Sequence, residues 1–167
     1  MNFKNRVAMV TGAAQGIGKA TALILAQYGS DIAVSDIKEQ EVKQTVDEIN
    51  LLGRQSIGLR MDVSIKSDIV KGVDQVLEKF GKIDILVNAA GICPSSMLID
   101  LEEKIWNQVI NVNTKSVFLQ QTLLEKVPLG RMAQPKEIGE LIAFLASDQS
   151  AYITGEAVLI AGGKEMQ

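Results

Sequence analysis

The chain has 167 residues, of which 47% are hydrophobic and 22% charged, and its formal net charge is −3 at pH 7. That length suits one domain, 1–167, and the sequence contains neither an apolar run of roughly 20 residues nor a secretory leader nor a long basic run. Histidine is absent and Cys93 is the only cysteine, which excludes an intrachain disulfide, Ser-His-Asp and Cys-His catalysis, and the commonest zinc ligand. We therefore expect a soluble cytoplasmic protein with no membrane or nucleic-acid partner and no metal site, whose chemistry comes from a cofactor.

A glycine-rich turn joins the first predicted strand to the first predicted helix. The apolar run 7–10 breaks at Gly12, Gly16 and Gly18, and from 19 to 28 apolar residues recur at helical spacing. Glycines let the backbone approach a phosphate closely, and the free amides of a helix N-terminus favour an anion. The stretch predicts a diphosphate-binding turn; the alternative is a glycine-bounded turn that binds nothing.

The second predicted strand, Asp31–Ser35, leads into Asp36, which follows Gly18 by eighteen residues. A carboxylate at this strand end is placed to accept hydrogen bonds from ribose hydroxyls, and its charge repels the 2′-phosphate of NADP(H). The spacing therefore predicts NAD(H) as the cofactor, and the alternative is a solvated turn aspartate.

Helices and strands continue to alternate beyond this point. Helix-spaced apolar residues predict a helix that ends near Gly53, a strand at 56–60, and a further helix that Gly81 closes. The segment 83–87 is apolar except for Asp84, which predicts a fourth strand buried on both faces.

A fourth helix is expected to begin at the capping-box pattern formed by Asp100 and Glu103. Four strands and four helices thus alternate before Gln121. This order predicts an α/β fold of Rossmann type, a doubly wound parallel sheet between two helix layers, with the strand order 3-2-1-4.

Three motifs are expected at the carboxyl ends of these strands, namely residues 11–18, Asp62-Val63 and residues 88–91. With them the chain resembles the short-chain dehydrogenases/reductases, in particular the branch of 3-oxoacyl carrier-protein reductases and secondary-alcohol dehydrogenases. Residues 11–18 read TGAAQGIG, similar to the family's TGxxxGIG cofactor turn, and residues 88–91 read NAAG, which departs at one position from its NNAG motif.

The resemblance implies an NAD-dependent oxidoreductase that interconverts a small secondary alcohol and a ketone. It assigns the glycine turn to the pyrophosphate, the acid after the second strand to the ribose, the 62–63 pair to adenine, and residues 88–91 to the nicotinamide side. The implied cofactor-binding residues are Gly12, Gln15, Gly16, Ile17, Gly18, Asp36, Ile37, Asp62, Val63, Asn88, Ala89, Ala90 and Gly91. Asn113 matches the helix asparagine that holds a catalytic water, and so is the one catalytic candidate.

The resemblance further implies a homodimer or homotetramer. The subunits would associate through a C-terminal helix within 135–147 and a last strand at 157–160. In the family that strand pairs beyond the fifth and sixth strands, which have no counterpart here. It therefore either pairs with the fourth strand in a smaller sheet or leaves backbone groups unpaired.

The family's catalytic serine and Tyr-x-x-x-Lys pair have no counterpart either. They would lie before the Pro-Leu-Gly-Arg segment at 128–131, where only Gln120–Val127 separates it from the asparagine helix. Eight residues reach at most about 28 Å, too little for a strand and a helix. Neither Tyr28 nor Tyr152 has a lysine four residues later.

Three explanations stay open for this gap near 121–127. A central segment is omitted from the sequence, the chain is an engineered deletion, or it is a natural degenerate member; the fit of both flanks favours the first. Two functions stay open with them. The chain is either an NAD(H)-dependent oxidoreductase or a catalytically inactive dinucleotide-binding or interaction protein.

Overall fold

The computed structural model describes residues 1–92, 102–112, 133–158 and 160 of the chain. The strands are β1 Val7–Thr11, β2 Asp31–Asp36, β3 Ser56–Arg60 and β4 Ile85–Asn88. The helices are α1 Gly16–Gln27, α2 Glu39–Leu51, α3 Lys66–Phe80, α4 Glu103–Val112 and α5 Pro135–Leu145, and a short 3-10 turn follows at Asp148–Ser150.

The four strands form one parallel sheet in the order β3-β2-β1-β4, which confirms the predicted topology. Thr11 lies opposite Ser35 on one side and opposite Asn88 on the other, while Asp36 lies opposite Arg60. The strands therefore end close to one level. Loops that leave these ends share one edge of the sheet, where α/β proteins place ligands.

Side chains of β1 alternate between two apolar clusters, as the two-residue period of a strand requires. Ala8 and Val10 pack in the cluster that includes residues of α1, α2 and α5, whereas Val7 and Met9 pack in the cluster that includes Val76 of α3. β1 is thus covered on both faces, as its run of buried residues requires. The expected burial of β4 on both faces is wrong: β4 is an edge strand of the described sheet, its burial alternates along the strand, and Leu86 is 58% exposed.

Both glycines that were expected to close helices have left-handed backbones, with φ of 75° at Gly53 and 77° at Gly81. The amide of Gly81 donates to the carbonyl of Leu77 at 2.8 Å, which ends α3. α1 begins earlier than expected, at Gly16 rather than near Lys19, because the second and third glycines of the turn already form its first turn.

β4 begins two residues later than predicted, at Ile85 rather than at 83. The reason is Asp84, whose Oδ2 accepts a hydrogen bond from the amide of Val7 at 2.7 Å. The side chain of Asp84 thus binds the backbone amide of Val7, which a longer ladder between β1 and β4 would use as a donor.

The expected last strand is not present in the described residues of 157–160. Ala157, Val158 and Ile160 have no strand conformation, so that prediction is wrong for them. A strand forms only against a partner, and the described sheet ends at β4, without the strands beside which this segment was expected to pair.

The chain divides into two compact units. The first comprises 1–89 and 134–157 and contains the sheet with α1, α2, α3 and α5; the second comprises 90–133 and 158–167 and contains α4. The single-domain expectation for 1–167 stays a prediction. In the described part of the chain, none of the helices combines the length and the hydropathy that crossing a membrane requires.

Candidate functional site

The turn between β1 and α1 depends on close backbone approach. Gly12 and Gly16 have positive φ angles of 65° and 59°. A Cβ on Gly18 would stand 2.2 Å from the carbonyl oxygen of Gly12, far inside van der Waals contact. The third glycine is therefore required by packing, since it lets the helix start directly beneath the turn.

The N-terminus of α1 is left open for an anion. Gln15 precedes the helix without a side-chain cap, and the first turn contains no acidic residue. Gln15, Gly16 and Ile17 are exposed, Ile17 to 43%, whereas Ala13 and Ala14 are buried. The tip of the turn thus presents backbone amides and the positive end of the helix dipole outward.

Asp36 is bonded to this turn. Its Oδ2 accepts from the amide of Ala14 at 3.3 Å, and its Oδ1 accepts from the amide of Lys38 at 3.1 Å. The carboxylate is half-buried. The bond from Lys38 is an Asx turn of the kind that a turn aspartate makes, whereas the bond from Ala14 joins directly the two motifs that the sequence related only by spacing. Ile37, the next predicted residue, is 55% exposed.

Asp62 and Val63 follow β3 at the same edge of the sheet. The Oδ1 atom of Asp62 accepts from the hydroxyl and the amide of Ser64, at 2.6 and 2.8 Å. These bonds, the side-chain one foremost, lower the pKa of Asp62, and the charge of Arg60 adds to the effect. Asp62 is therefore ionised and shapes its own turn, while Val63 packs against the α3 side of the core.

Asn88 ends β4, exposed, and its neighbour Ala89 is held by a residue that sequence analysis did not assign. The Oγ1 atom of Thr11 accepts from the amide of Ala89 at 3.2 Å and donates to the carbonyl of Val87 at 3.4 Å. Thr11 thereby joins the ends of β1 and β4. In the sequence, only the position of Thr11 as the first residue of the glycine motif could have pointed to this role.

Lys38 is the second residue that sequence analysis missed. Its Nζ donates to Oε1 of Gln15 at 2.9 Å, so a side chain from the loop after β2 reaches the residue before α1. Only its position two residues after Asp36 could have drawn attention to it.

The first unit thus gathers Gly12 to Gly18, Asp36, Asp62, Val63, Asn88 and Ala89 at the carboxyl edge of its sheet. Ala90 and Gly91 begin the second unit. Asn113 lies outside the described residues. Residues 120–131, near which the family's serine, tyrosine and lysine have no counterpart in this sequence, also lie outside them. Among the described residues, no three Asp, Glu, Cys or His side chains are grouped as metal ligands would be.

The family model described as short chain dehydrogenase matches residues 6–146. The chain is 28% identical to 3-oxoacyl-acyl-carrier-protein reductase FabG of Thermotoga maritima, covering 98% of this chain and 99% of that protein. It is 27% identical to the hydroxy(phenyl)methylsuccinyl-CoA dehydrogenase subunit BbsD of Thauera aromatica, covering 99% of each. A putative short-chain alcohol dehydrogenase from Sinorhizobium meliloti has the same fold, with a TM-score of 0.86 at 22% identity over 99% of this chain and 98% of that one.

The alignment with the Thermotoga reductase extends over 243 positions, although the chain has 167 residues. At least 76 positions, the difference between these numbers, therefore hold no residue of this chain. Both sequences are nevertheless matched almost from end to end. Relatives thus contain residues that this chain lacks, in keeping with the missing central segment that the sequence indicates.

Proposed function

The chain belongs to the short chain dehydrogenase family and is an oxidoreductase of the alcohol–carbonyl class, and from this premise we propose that its cofactor is NAD(H) and its substrate a secondary alcohol or ketone. The observation that carries the cofactor proposal is the bond between the Asp36 carboxylate and Ala14 in the glycine turn. It supports one continuous surface for a diphosphate and the neighbouring ribose.

The residues present fit a dinucleotide. A Cβ on Gly18 would fill the close approach beneath the turn, and α1 has neither a capping side chain nor a first-turn acid that would compete with a phosphate. Gly12, Gly16 and Gly18 would hold the diphosphate, with Gln15 and Ile17 beside them. The chemistry that the dinucleotide supplies when bound is hydride transfer.

The remaining assignments follow the same edge of the sheet. Asp36 and Ile37 would hold the ribose, Asp62 and Val63 the adenine, and residues 88–91 the nicotinamide side. Asp36 would accept hydrogen bonds from the ribose hydroxyls and repel a 2′-phosphate, which favours NAD(H) over NADP(H). Thr11 would act as a positioning residue, because its hydroxyl fixes the start of the loop after β4.

The substrate proposal is a 3-oxoacyl compound or a similar small carbonyl. Two relatives support it, one named as a 3-oxoacyl-acyl-carrier-protein reductase and the other as a hydroxy(phenyl)methylsuccinyl-CoA dehydrogenase subunit. Asn113 would take part in the proton relay. We also propose a cytoplasmic homodimer or homotetramer, which rests on the family resemblance alone.

The chain departs from the pattern of the family in the groups that would transfer a proton. A phenol with an unperturbed pKa near 10 needs an adjacent cation to donate or accept a proton near neutral pH. Neither Tyr28 nor Tyr152 has a lysine four residues later. The acid/base group would therefore come from a segment that the sequence lacks, and a chain without it would bind the dinucleotide without turnover.

Intact mass, NADH titration and turnover on β-keto esters and secondary alcohols test the proposal together. We expect NADH binding, and NADH-dependent reduction if the purified polypeptide is heavier than 18.1 kDa and so contains the missing segment. A polypeptide of 18.1 kDa that binds NADH without turnover would instead be a dinucleotide-binding protein. Absence of NADH binding by the folded chain would overturn the whole proposal.

A further inference from the structure

Resting on the proposed function, we infer that Thr45 of α2 is a positioning residue for the cofactor site. Its hydroxyl fixes the peptide unit between Ala13 and Ala14 in the glycine turn, and through that peptide it fixes the carboxylate of Asp36. Thr45 itself would touch neither the dinucleotide nor the reacting atoms. Its effect on binding would pass through Asp36.

The peptide unit between Ala13 and Ala14 is held at both of its polar ends. Its carbonyl oxygen, on Ala13, accepts from the hydroxyl of Thr45 at 3.2 Å, and its N–H, on Ala14, donates to Oδ2 of Asp36 at 3.3 Å. The C=O and N–H groups of one peptide unit are fixed in a common plane. Rotation of this peptide would therefore break both hydrogen bonds together.

The bond from Thr45 is shielded from water. Ala13 and Thr45 are both 0% exposed, so water cannot replace the hydroxyl as the donor to the Ala13 carbonyl. β1 ends at Thr11 and α1 begins at Gly16, so this carbonyl lies in the turn rather than in a strand or a helix. A buried carbonyl that loses its donor is costly, and the turn would change its conformation in response.

The position of Thr45 on α2 is one where the helical spacing calls for an apolar side chain. The buried residues of α2 are Val42, Thr45 and Ile49, which recur on one face of the helix. A hydroxyl on this face is retained only where it has a partner, because burial of an unpaired hydroxyl is unfavourable.

A local role for the Thr45 hydroxyl is the alternative. A threonine inside a helix often bonds the carbonyl four residues earlier, and the hydroxyl of Thr45 also donates to the carbonyl of Glu41 at 3.1 Å. That carbonyl lies inside α2, in position for the ordinary helical bond from the amide of Thr45. Loss of the hydroxyl therefore affects the Ala13 carbonyl more than the Glu41 carbonyl.

Two matched pairs of side chains at position 45 test the inference, since threonine differs from valine, and serine from alanine, in the hydroxyl group. Fluorescence titration should show that Thr45→Val binds NADH about 3- to 10-fold more weakly than the unaltered chain, the effect of one hydrogen bond. Thr45→Ser should bind NADH more tightly than Thr45→Ala by a similar factor. The second pair decides the question if Thr45→Val does not fold.

Ser56→Ala is the control for a general loss of stability. Ser56 begins β3, at the edge of the sheet opposite the glycine turn, and its buried hydroxyl donates to Oδ1 of Asn50 in α2 at 2.8 Å. The variant thus removes a buried hydroxyl bond to the same helix. Urea denaturation should show a lower stability, while NADH affinity should stay within about 2-fold of that of the unaltered chain.

A double-mutant cycle with Asp36→Ala separates positioning from destabilisation. If Thr45 acts through Asp36, Thr45→Val should lower the NADH affinity of the Asp36→Ala variant by less than about 2-fold. An undiminished loss in that background, or equal NADH affinity within each pair of variants, would overturn the inference while the proposed function stands. If the unaltered chain does not bind NADH, the proposed function fails and the inference fails with it.

Discussion

Gly18 lies so close to Gly12 that a Cβ at position 18 would stand 2.2 Å from the carbonyl oxygen and 2.7 Å from the carbonyl carbon of Gly12. Both of those atoms belong to the backbone, so no side chain can move aside to make room. The start of α1 and the end of β1 must separate if position 18 carries any side chain.

Gly18→Ala should therefore lower the free energy of unfolding by about 2 to 3 kcal/mol and weaken NADH binding on the order of tenfold. Urea denaturation and NADH titration measure the two effects. Gly53→Ala is the control, because Gly53 has a φ of 75° but open space around its Cβ position. It should cost about 1 kcal/mol from backbone strain alone and leave NADH binding unchanged. Equal costs for the two variants would contradict the close approach.

Asp36→Ala should reverse much of the preference between the two cofactors. Removal of the carboxylate takes away the acceptor for the ribose hydroxyls and the repulsion of a 2′-phosphate, so NADPH affinity should rise roughly tenfold relative to NADH affinity. Parallel titrations with both cofactors measure the ratio. Asp47→Ala removes the same charge from an exposed position of α2 and should not change it. A ratio unaffected by Asp36→Ala would refute the ribose assignment.

The periodic spacing of apolar residues was enough to predict the order of the strands in the sheet and the ends of α2 and α3. Buried parallel strands are nearly continuous apolar runs, and Gly53 and Gly81 close their helices through the left-handed backbone that glycine adopts readily. These features depend on local sequence, so they are predictable from it.

Features that depend on a partner were not predictable. Residues 157–160 have strand-forming composition, but the described sheet ends at β4 and the described members of that segment form no strand. The contact between Lys38 and Gln15 joins two exposed residues 23 positions apart, and no periodicity marks such a pair. The assignment of Asn113 stays a prediction because the residue lies outside the described part of the chain.

Thr11→Val should destabilise the junction of β1 and β4 by about 1 to 3 kcal/mol, since the part-buried amide of Ala89 and the buried carbonyl of Val87 lose a partner that valine cannot replace. Thermal and urea denaturation measure the loss. Thr11→Ser retains the hydroxyl and should cost clearly less, although it removes a buried methyl group. If serine proves as costly as valine, packing rather than hydrogen bonding holds this junction.

Asp84 should contribute to the free energy of unfolding by an amount that depends on pH. Hydrogen bonds from Lys82 at 2.9 Å and from the amide of Val7 at 2.7 Å hold the pKa of Asp84 below its usual range. A carboxyl group whose pKa is lower in the folded chain stabilises that chain fully above its unfolded pKa of about 3.9. The contribution is then lost as the pH falls through the lowered value.

Asp84→Asn should accordingly reduce the free energy of unfolding by about 0.5 to 1.5 kcal/mol at pH 7, and the difference from the unaltered chain should shrink as the pH falls from 5 to 3. Asparagine can still accept from Val7, so most of the loss comes from the charged contact with Lys82. Urea denaturation at several pH values measures the difference. Asp74→Asn, at an exposed position of α3, should show no comparable trend. A difference for Asp84→Asn that is constant down to pH 3 would mean that the ionised carboxylate contributes nothing specific, and that only the shape of the side chain matters where β4 meets β1.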